Sequence, residues 1–444
     1  MISASIAAHG NTEPPSMSHP DGVAAAAAAA GHIGPPAWIL LDTEAVIADR
    51  RNATTALSRT STGTTIQVTL FAADPPRDSY FCVHGHGLKE YMPTRILYSQ
   101  GDVALLRVPF THTSTTDYFL YRAGRPPSLR LLGDMYRGED LYSAPIGILP
   151  LAGEGDHFVL AGLESLSEDD EEEDTGTYEL RIFRSDRGAW TSTTVELGDE
   201  VCLDPLDKVI ALGGGELGWV DLRKGILVCD VLGETPKPRA IPLPKLLPTN
   251  RLNLLRQGRS SSLLRDYRDV VVCADGSIRC VEMEHQLRPE LLEMPDVSSS
   301  DVLNDSDLPM DRNSEDDRSQ QVLYRYIGWR VVVWSRTASS STCWRKERLV
   351  HGGDIVATDP GHASLLGDLS KRARKMDSPS LSIDGGNVVY IMSRAIGTDA
   401  EKCVVAVDME RKTVVAVAPV SVVRRLPNKS DYISCGLSRY LETD

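Results

Sequence analysis

Between residues 217 and 244 the chain runs Leu217-Gly218-Trp219-Val220-Asp221-Leu222, then Gly225-Ile226-Leu227-Val228-Cys229-Asp230-Val231-Leu232, then Arg239-Ala240-Ile241-Pro242-Leu243-Pro244. Apolar runs this short, bounded by Gly, Pro and charged residues, suit strands better than helices. Two of the gaps are too short for a crossover helix, so neighbouring runs must pair antiparallel. A chain that repeats this pattern is confined to antiparallel β architectures.

The pattern does repeat. Strands are expected over 65–71, 80–84, 95–98, 103–108, 118–121, 157–161, 178–183 and 209–212, and no long amphipathic helix is predicted. Val270–Cys273 and Ile278–Met283 flank Asp275-Gly276, strong hairpin turn chemistry, and Asp384-Gly385-Gly386 is flanked in the same way. Gly213-Gly214-Gly215 lies between two strand signals and reads as a turn rather than a phosphate loop. Tyr178–Leu197 and Arg330–Val350 each run strand, polar turn, Trp (Trp190, Trp344) and strand; Cys403–Val417 repeats this without the Trp.

Three further segments bear on family. These are Trp38-Ile39-Leu40-Leu41-Asp42, then Asp49-Arg50-Arg51-Asn52-Ala53-Thr54-Thr55-Ala56, then Asp74-Pro75-Pro76 followed by Ser79-Tyr80-Phe81. With the 217–244 stretch, their order and spacing resemble the plant family known as domain of unknown function 1618, over roughly 37–423. The resemblance implies an all-β, propeller-like body and supplies no catalytic or ligand-binding residue to carry over. It departs from the pattern at the start, where an alanine run precedes Trp38. Propeller blades take about 40 to 50 residues each, so a single β-propeller-like body of six to eight antiparallel blades is expected. Two stacked β domains are the alternative. The Trp38 strand is expected to close the ring against the carboxyl-terminal segment.

Charge locates the insertions. The net charge is −15, yet residues 164–174 hold eight acidic and no basic residues, and residues 284–321 hold eleven acidic and three basic. The rest of the chain is thus close to neutral, which argues against general nucleic-acid binding. Both segments are too poor in apolar residues to offset ordering entropy and are expected to be loops protruding from the body, near 164–177 and 284–321. Within them, 168–174 and 298–318 are expected to lack regular secondary structure, and deleting either should leave the thermal midpoint nearly unchanged. Residues 1–36, with the Ala24–Ala30 tract, are expected to be disordered; 37–437 form the body and 438–444 a tail.

No apolar run approaches the roughly 20 residues that span a bilayer. No Lys or Arg precedes Arg50, which disfavours a targeting peptide. The eight cysteines show no C-x-x-C and no paired His spacing, so they read as reduced, mostly buried hydrophobes of an intracellular protein. Cys273 and Cys280 are the pair most easily mistaken for a disulfide. A two-residue turn at Asp275-Gly276 would place them on one face as diagonal neighbours, too far apart to bond.

Motifs for nucleophile elbows, P-loops and zinc helices are lacking, and no catalytic, cofactor or metal residues are assigned. The best candidates are His84-Gly85-His86-Gly87, whose imidazoles could share an ion, and Asp102 and Asp117 with His112 as an acid/base set. If these approach one another in a pocket, an enzyme gains support; if they scatter, that reading fails. Ser165, Ser167 and Ser314 have acidic residues three positions on, an arrangement acidic-directed kinases favour. Lys371–Lys375 reads as a surface loop or helix end, with a nuclear-import patch as the alternative. Trp190, Trp219, Trp329, Trp334 and Trp344 are expected to be mostly buried in blade packing. The function expected is a non-enzymatic scaffold for a protein partner; the alternative is a propeller-fold hydrolase or lyase with a site assembled in space.

Overall fold

The computed structural model describes residues 34–88, 92–111, 116–132, 145–151, 157–166, 176–197, 203, 206–257, 261–291, 322–337, 343–357, 359–370, 374–395, 402–421 and 432–441. The expectations for the amino-terminal segment to residue 33, for 167–175, for 292–321, and for His112, Ser167, Ser314 and Cys202 lie outside the described residues.

Strands β1 (Ile39–Asp42), β2 (Val46–Ile47), β3 (Ala56–Arg59), β4 (Thr65–Phe71) and β5 (Asp78–Gly85) open the chain. Four four-stranded meanders and then a five-stranded sheet follow. The second blade is β6 (Arg95–Gln100), β7 (Val103–Pro109), β8 (Thr116–Arg122) and β9 (Ser128–Leu131). The third is β10 (Ile146–Pro150), β11 (Phe158–Ser165), β12 (Thr177–Arg184) and β13 (Ala189–Glu196). The fourth is β14 (Lys208–Gly213), β15 (Glu216–Asp221), β16 (Gly225–Asp230) and β17 (Arg239–Pro242). After helix α1 (Pro248–Gln257) the fifth blade is β18 (Arg268–Val272), β19 (Ser277–Leu291), β20 (Val322–Thr337) and β21 (Arg345–His351). The sixth comprises β22 (Val356–Ala357), then, after helix α2 (Pro360–Ser370), β23 (Arg374–Leu381), β24 (Val388–Ala395), β25 (Lys402–Asp408) and β26 (Thr413–Pro419). The last strand, β27 (Tyr432–Cys435), returns to the first sheet and pairs antiparallel with β1, Ile39 opposite Cys435.

The first strands β6, β10, β14, β18 and β23, with β27, touch one another in turn and close a ring, each sheet extending outward from it. This is a six-bladed β-propeller, closed as expected by the Trp38 strand against the carboxyl terminus. Trp38 is buried edge-on against Tyr390 of the sixth blade, with ring centroids 5.2 Å apart.

Blade packing explains why the strands read as continuous apolar runs rather than alternating ones. Successive side chains point to opposite faces, and here both faces are covered by neighbouring blades. Val103 and Leu105 of β7 join the core shared with the third and fourth blades, while Ala104, Leu106 and Val108 join the core shared with the first. Leu217 and Trp219 likewise face the third blade, and Val220 packs with residues of the fifth. Further clusters fill the fifth-to-sixth interface and, through Trp38, Leu40, Met392 and Val404, the sixth-to-first.

The tryptophans follow the expectation: Trp219 and Trp329 are buried, Trp190, Trp334 and Trp344 half-buried. Two of their N–H groups fasten blades. Trp219 Nε1 donates to Pro145 O at 3.0 Å, and Trp344 Nε1 to Pro242 O at 2.6 Å.

Several boundaries differ from those read in the sequence. β19 and β20 pair along their whole length, so residues 284–291, assigned to an insertion by charge, are strand. Likewise Glu164, Ser165 and Thr177 end strands of the third blade. Alternating contacts to a partner strand outweigh local polarity there. Leu437–Tyr440 form a 3-10 turn with Leu437 and Ser438 buried, so the presumed tail begins inside the body.

Two helices of 10 and 11 residues appear among the described residues. Helix α1 has no acidic residue in its first turn. Its amino-terminal N–H groups are instead met from β19, Leu247 N–H bonding Glu282 Oε1 at 2.8 Å and Thr249 N–H bonding Glu284 Oε1 at 2.7 Å. Capping supplied by another blade leaves no local signal. No helix of the described residues is long and apolar enough to cross a membrane.

The Cys273–Cys280 hairpin is corrected by one residue. Val270 faces Cys280 and Val272 faces Ile278, and Cys273 N–H bonds Ser277 O at 2.8 Å, so the loop is Ala274-Asp275-Gly276. Gly276 takes φ +78°, the left-handed conformation that lets a three-residue loop close. A one-residue slip reverses facing. Cys273 therefore packs toward the sixth blade and Cys280 toward the fourth, and both are free thiols. The turn at 213–215 is two-residue, with Gly213 opposite Glu216 and positive φ at Gly214 and Gly215.

Candidate functional site

Because all the inner strands begin at one end of the ring, their first residues converge there. Arg95 opens β6, Ile146 β10, Lys208 β14, Arg268 and Asp269 β18, and Tyr432 β27; all line one cavity of about 260 Å³. A second cavity of about 260 Å³ lies at the ends of the same strands, around Ser99–Gly101, Cys273 and Cys435, with Lys208 and Arg439 as its charged residues. The first cavity holds the charge: Arg95, Arg107, Lys208, Arg265 and Arg268 against Asp207 and Asp269.

Most of these charges are matched. Lys208 Nζ lies 2.6 Å from Asp269 Oδ1, joining the fourth and fifth blades. Arg268 has a fully buried side chain and donates to Leu222 O at 2.9 Å and to Pro244 O, with Glu282 Oε2 3.6 Å away. Asp207 accepts Leu222 N–H at 2.8 Å and lies 3.9 Å from Arg265. Burial nonetheless pushes the Asp207 carboxyl up to about 6, outweighing that N–H and the Arg265 charge. Burial also raises the Glu282 carboxyl, against the pull of Arg268.

Arg95 and Arg107 are different. They stand directly opposite each other on β6 and β7, with Tyr118 opposite Arg107 on β8, so a row of three cavity-lining residues crosses the second blade. Neither arginine forms an ion pair among the described residues, and Arg107 Nε is buried with no hydrogen-bond partner. Like charges directly opposite on a ladder repel. Across the cavity, β23 carries a bulge between Asp377 and Ser380, and Ser378 at its crest takes φ +51°. Bulges and left-handed non-glycine residues concentrate at functional sites.

The candidates drawn from the sequence do not meet here. His84 and His86 are exposed, on β5 and the turn after it. Asp102 pairs with Arg122 at 3.0 Å at one end of the β7–β8 ladder. Asp117, buried at the other end, accepts Ser61 N–H at 2.8 Å and ties the second blade to the first. Those ladder ends are on the order of 17 Å apart. None of the four lines either cavity. Among the described residues no three His, Cys, Asp or Glu side chains are grouped to hold a metal ion. Of the basic run, Arg374 and Lys375 open β23 rather than a loop, and Lys375 lies 3.3 Å from Asp377. Ser165 is half-buried at the end of β11. The cavity residues were missed because they are far apart in sequence. The signal available was a basic residue just before an apolar strand run, at Arg95, Lys208 and Arg268.

The profile of the family described as protein of unknown function (DUF1618) matches residues 219–390. The resemblance drawn from the sequence is thereby shown over that segment. A solved structure, the WD40 domain of SCAP from fission yeast, is 10% identical, with a TM-score of 0.32 covering 88% of this chain and 89% of that one. At that similarity the fold rests on the strand topology itself. No curated protein matches the chain.

Proposed function

We propose that the protein is a non-enzymatic, intracellular interaction scaffold, a closed ring that presents its loops and one charged channel end to a protein partner. The observation that carries this reading is the distribution of polar chemistry. Asp102 and Asp117, the described carboxylates of the expected acid/base set, are engaged in holding strands and blades, while the unmatched charge sits at the channel end. Fixed rings with variable loops serve well as recognition surfaces. The acidic segments at 167–175 and 292–321 belong to this proposal as loop insertions on the body.

Affinity capture with the full chain from native tissue extract, followed by mass spectrometry, tests it. A stoichiometric partner that co-elutes with the chain in gel filtration is expected. Absence of any such partner, together with turnover of a small molecule when purified protein is added to extract, would favour the propeller-fold enzyme instead.

A further inference from the structure

We propose that the channel-end cavity binds the phosphate group of a small phosphorylated molecule between Arg95 and Arg107. This goes beyond the scaffold reading: it assigns a small ligand to the charged end, beside the loops that meet the protein partner.

Three observations point the same way. First, charge matching in the cavity leaves two positive charges over: Lys208 has Asp269, Arg265 has Asp207 and Arg268 has Glu282, whereas Arg95 and Arg107 have no carboxylate among the described residues. Glu44 bridges Arg95 through the backbone. A dianion fits this surplus better than a single carboxylate, and a phosphate monoester carries about −1.5 to −2 at neutral pH. Second, Arg95 and Arg107 occupy directly opposite positions of one ladder, where like charges repel and an anion between them relieves the repulsion. Guanidinium forks match phosphate oxygens bidentately. Third, the buried Arg107 Nε–H has no acceptor, and an unmet buried donor is costly. Turning the guanidinium toward a phosphate in the cavity would bring that N–H to an oxygen.

The size limits the ligand. A cavity of about 260 Å³ takes a phosphate with a small organic group attached, smaller than the pockets of roughly 300 to 1,000 Å³ that hold drug-sized molecules.

The test is isothermal titration of the full-length protein with inorganic phosphate and, separately, with glucose 6-phosphate, at fixed ionic strength against chloride. Saturable binding of either probe is expected. Arg95→Gln and Arg107→Gln should each weaken it about tenfold, and the double variant should abolish it. Arg345→Gln, at a side chain 81% exposed, should leave it unchanged. Tighter binding of the sugar phosphate would show that the organic part is held too; equal binding would assign recognition to the phosphate alone. In the wild type, either probe should protect Arg95 and Arg107 from phenylglyoxal, read by peptide mass spectrometry, which stands even if a variant fails to fold. No saturable binding by the wild type, undiminished binding by the double variant, or labelling that the probes do not slow would overturn the proposal. The titration uses purified protein, so its failure would leave the partner-capture result untouched.

Discussion

Asp78 Oδ1 accepts hydrogen bonds from both the backbone N–H of Ser421, at 2.9 Å, and its hydroxyl, at 2.6 Å, across 343 positions of sequence. Asp78 begins β5 in the first blade and Ser421 follows β26 in the sixth, so this pair latches the ring where its two ends meet. Beside it, β1 pairs with β27 and Arg439 Nε donates to Ala37 O at 2.5 Å.

Cutting the latch should weaken the whole ring. Asp78→Ala is expected to lower unfolding stability by about 1–2 kcal/mol, and Ser421→Ala by less, because the backbone N–H still bonds. Urea denaturation of both single variants and the double variant should give a non-additive cycle. Additive effects would show that the two residues act apart.

Trp219 is fully buried, and its indole N–H is the bond from the fourth blade to the third. Trp219→Phe removes volume and that donor together, with an expected loss of about 2–4 kcal/mol by denaturant titration.

Asp207 sets a pH dependence. Its carboxyl is raised from 3.8 to about 6 in the folded chain by burial. A raised folded value favours the protonated form, so the contribution is full below about pH 4 and is lost as pH rises through about 6. The span corresponds to about 3 kcal/mol at most. Asp207→Asn should therefore match the wild type near pH 4 and exceed it at pH 7.5, by about 1–2 kcal/mol in urea titrations. A variant less stable at pH 7.5 would show that the Arg265 contact dominates.

Among the described cysteines only Cys343 is exposed; burial pushes the thiols of Cys273, Cys280 and Cys435 up, and that of Cys229 up to about 12. Since the thiolate is the nucleophile, iodoacetamide at pH 8 should label Cys343 well before these four. In the denatured, unreduced chain all should react. Recovery of a Cys273–Cys280 linked peptide would contradict the opposite facing of the two residues.

Removing the Glu282 carboxylate should cost more than most core changes. It accepts Leu247 N–H and, at 2.9 Å, Asn250 Nδ2–H, and its carboxyl lies 3.6 Å from the buried Arg268. Glu282→Ala leaves that guanidinium unmatched, an expected loss of about 3–5 kcal/mol. Melting of α1 should accompany it, read by hydrogen exchange over 248–257.

Strand positions were legible in the sequence because short apolar runs and Gly-rich turns are local signals; β4 falls on 65–71 as read, and Gly214-Gly215 turns as expected. Even ring closure could be read, since an isolated apolar strand at Trp38 needs a partner. Register, facing and the site could not. A single residue added to the loop at 274–276 sent Cys273 and Cys280 to different cores, because side chains alternate with a period of two. Polar strands such as 284–291 and the caps of α1 depend on partners in other segments. The pairing of Arg95 with Arg107 comes from the β6–β7 ladder, and the company of Lys208, Asp207 and Arg268 from ring closure alone. Local sequence determines which residues form strands; which residues share a cavity is decided only when six inner strands begin at the same end of one ring.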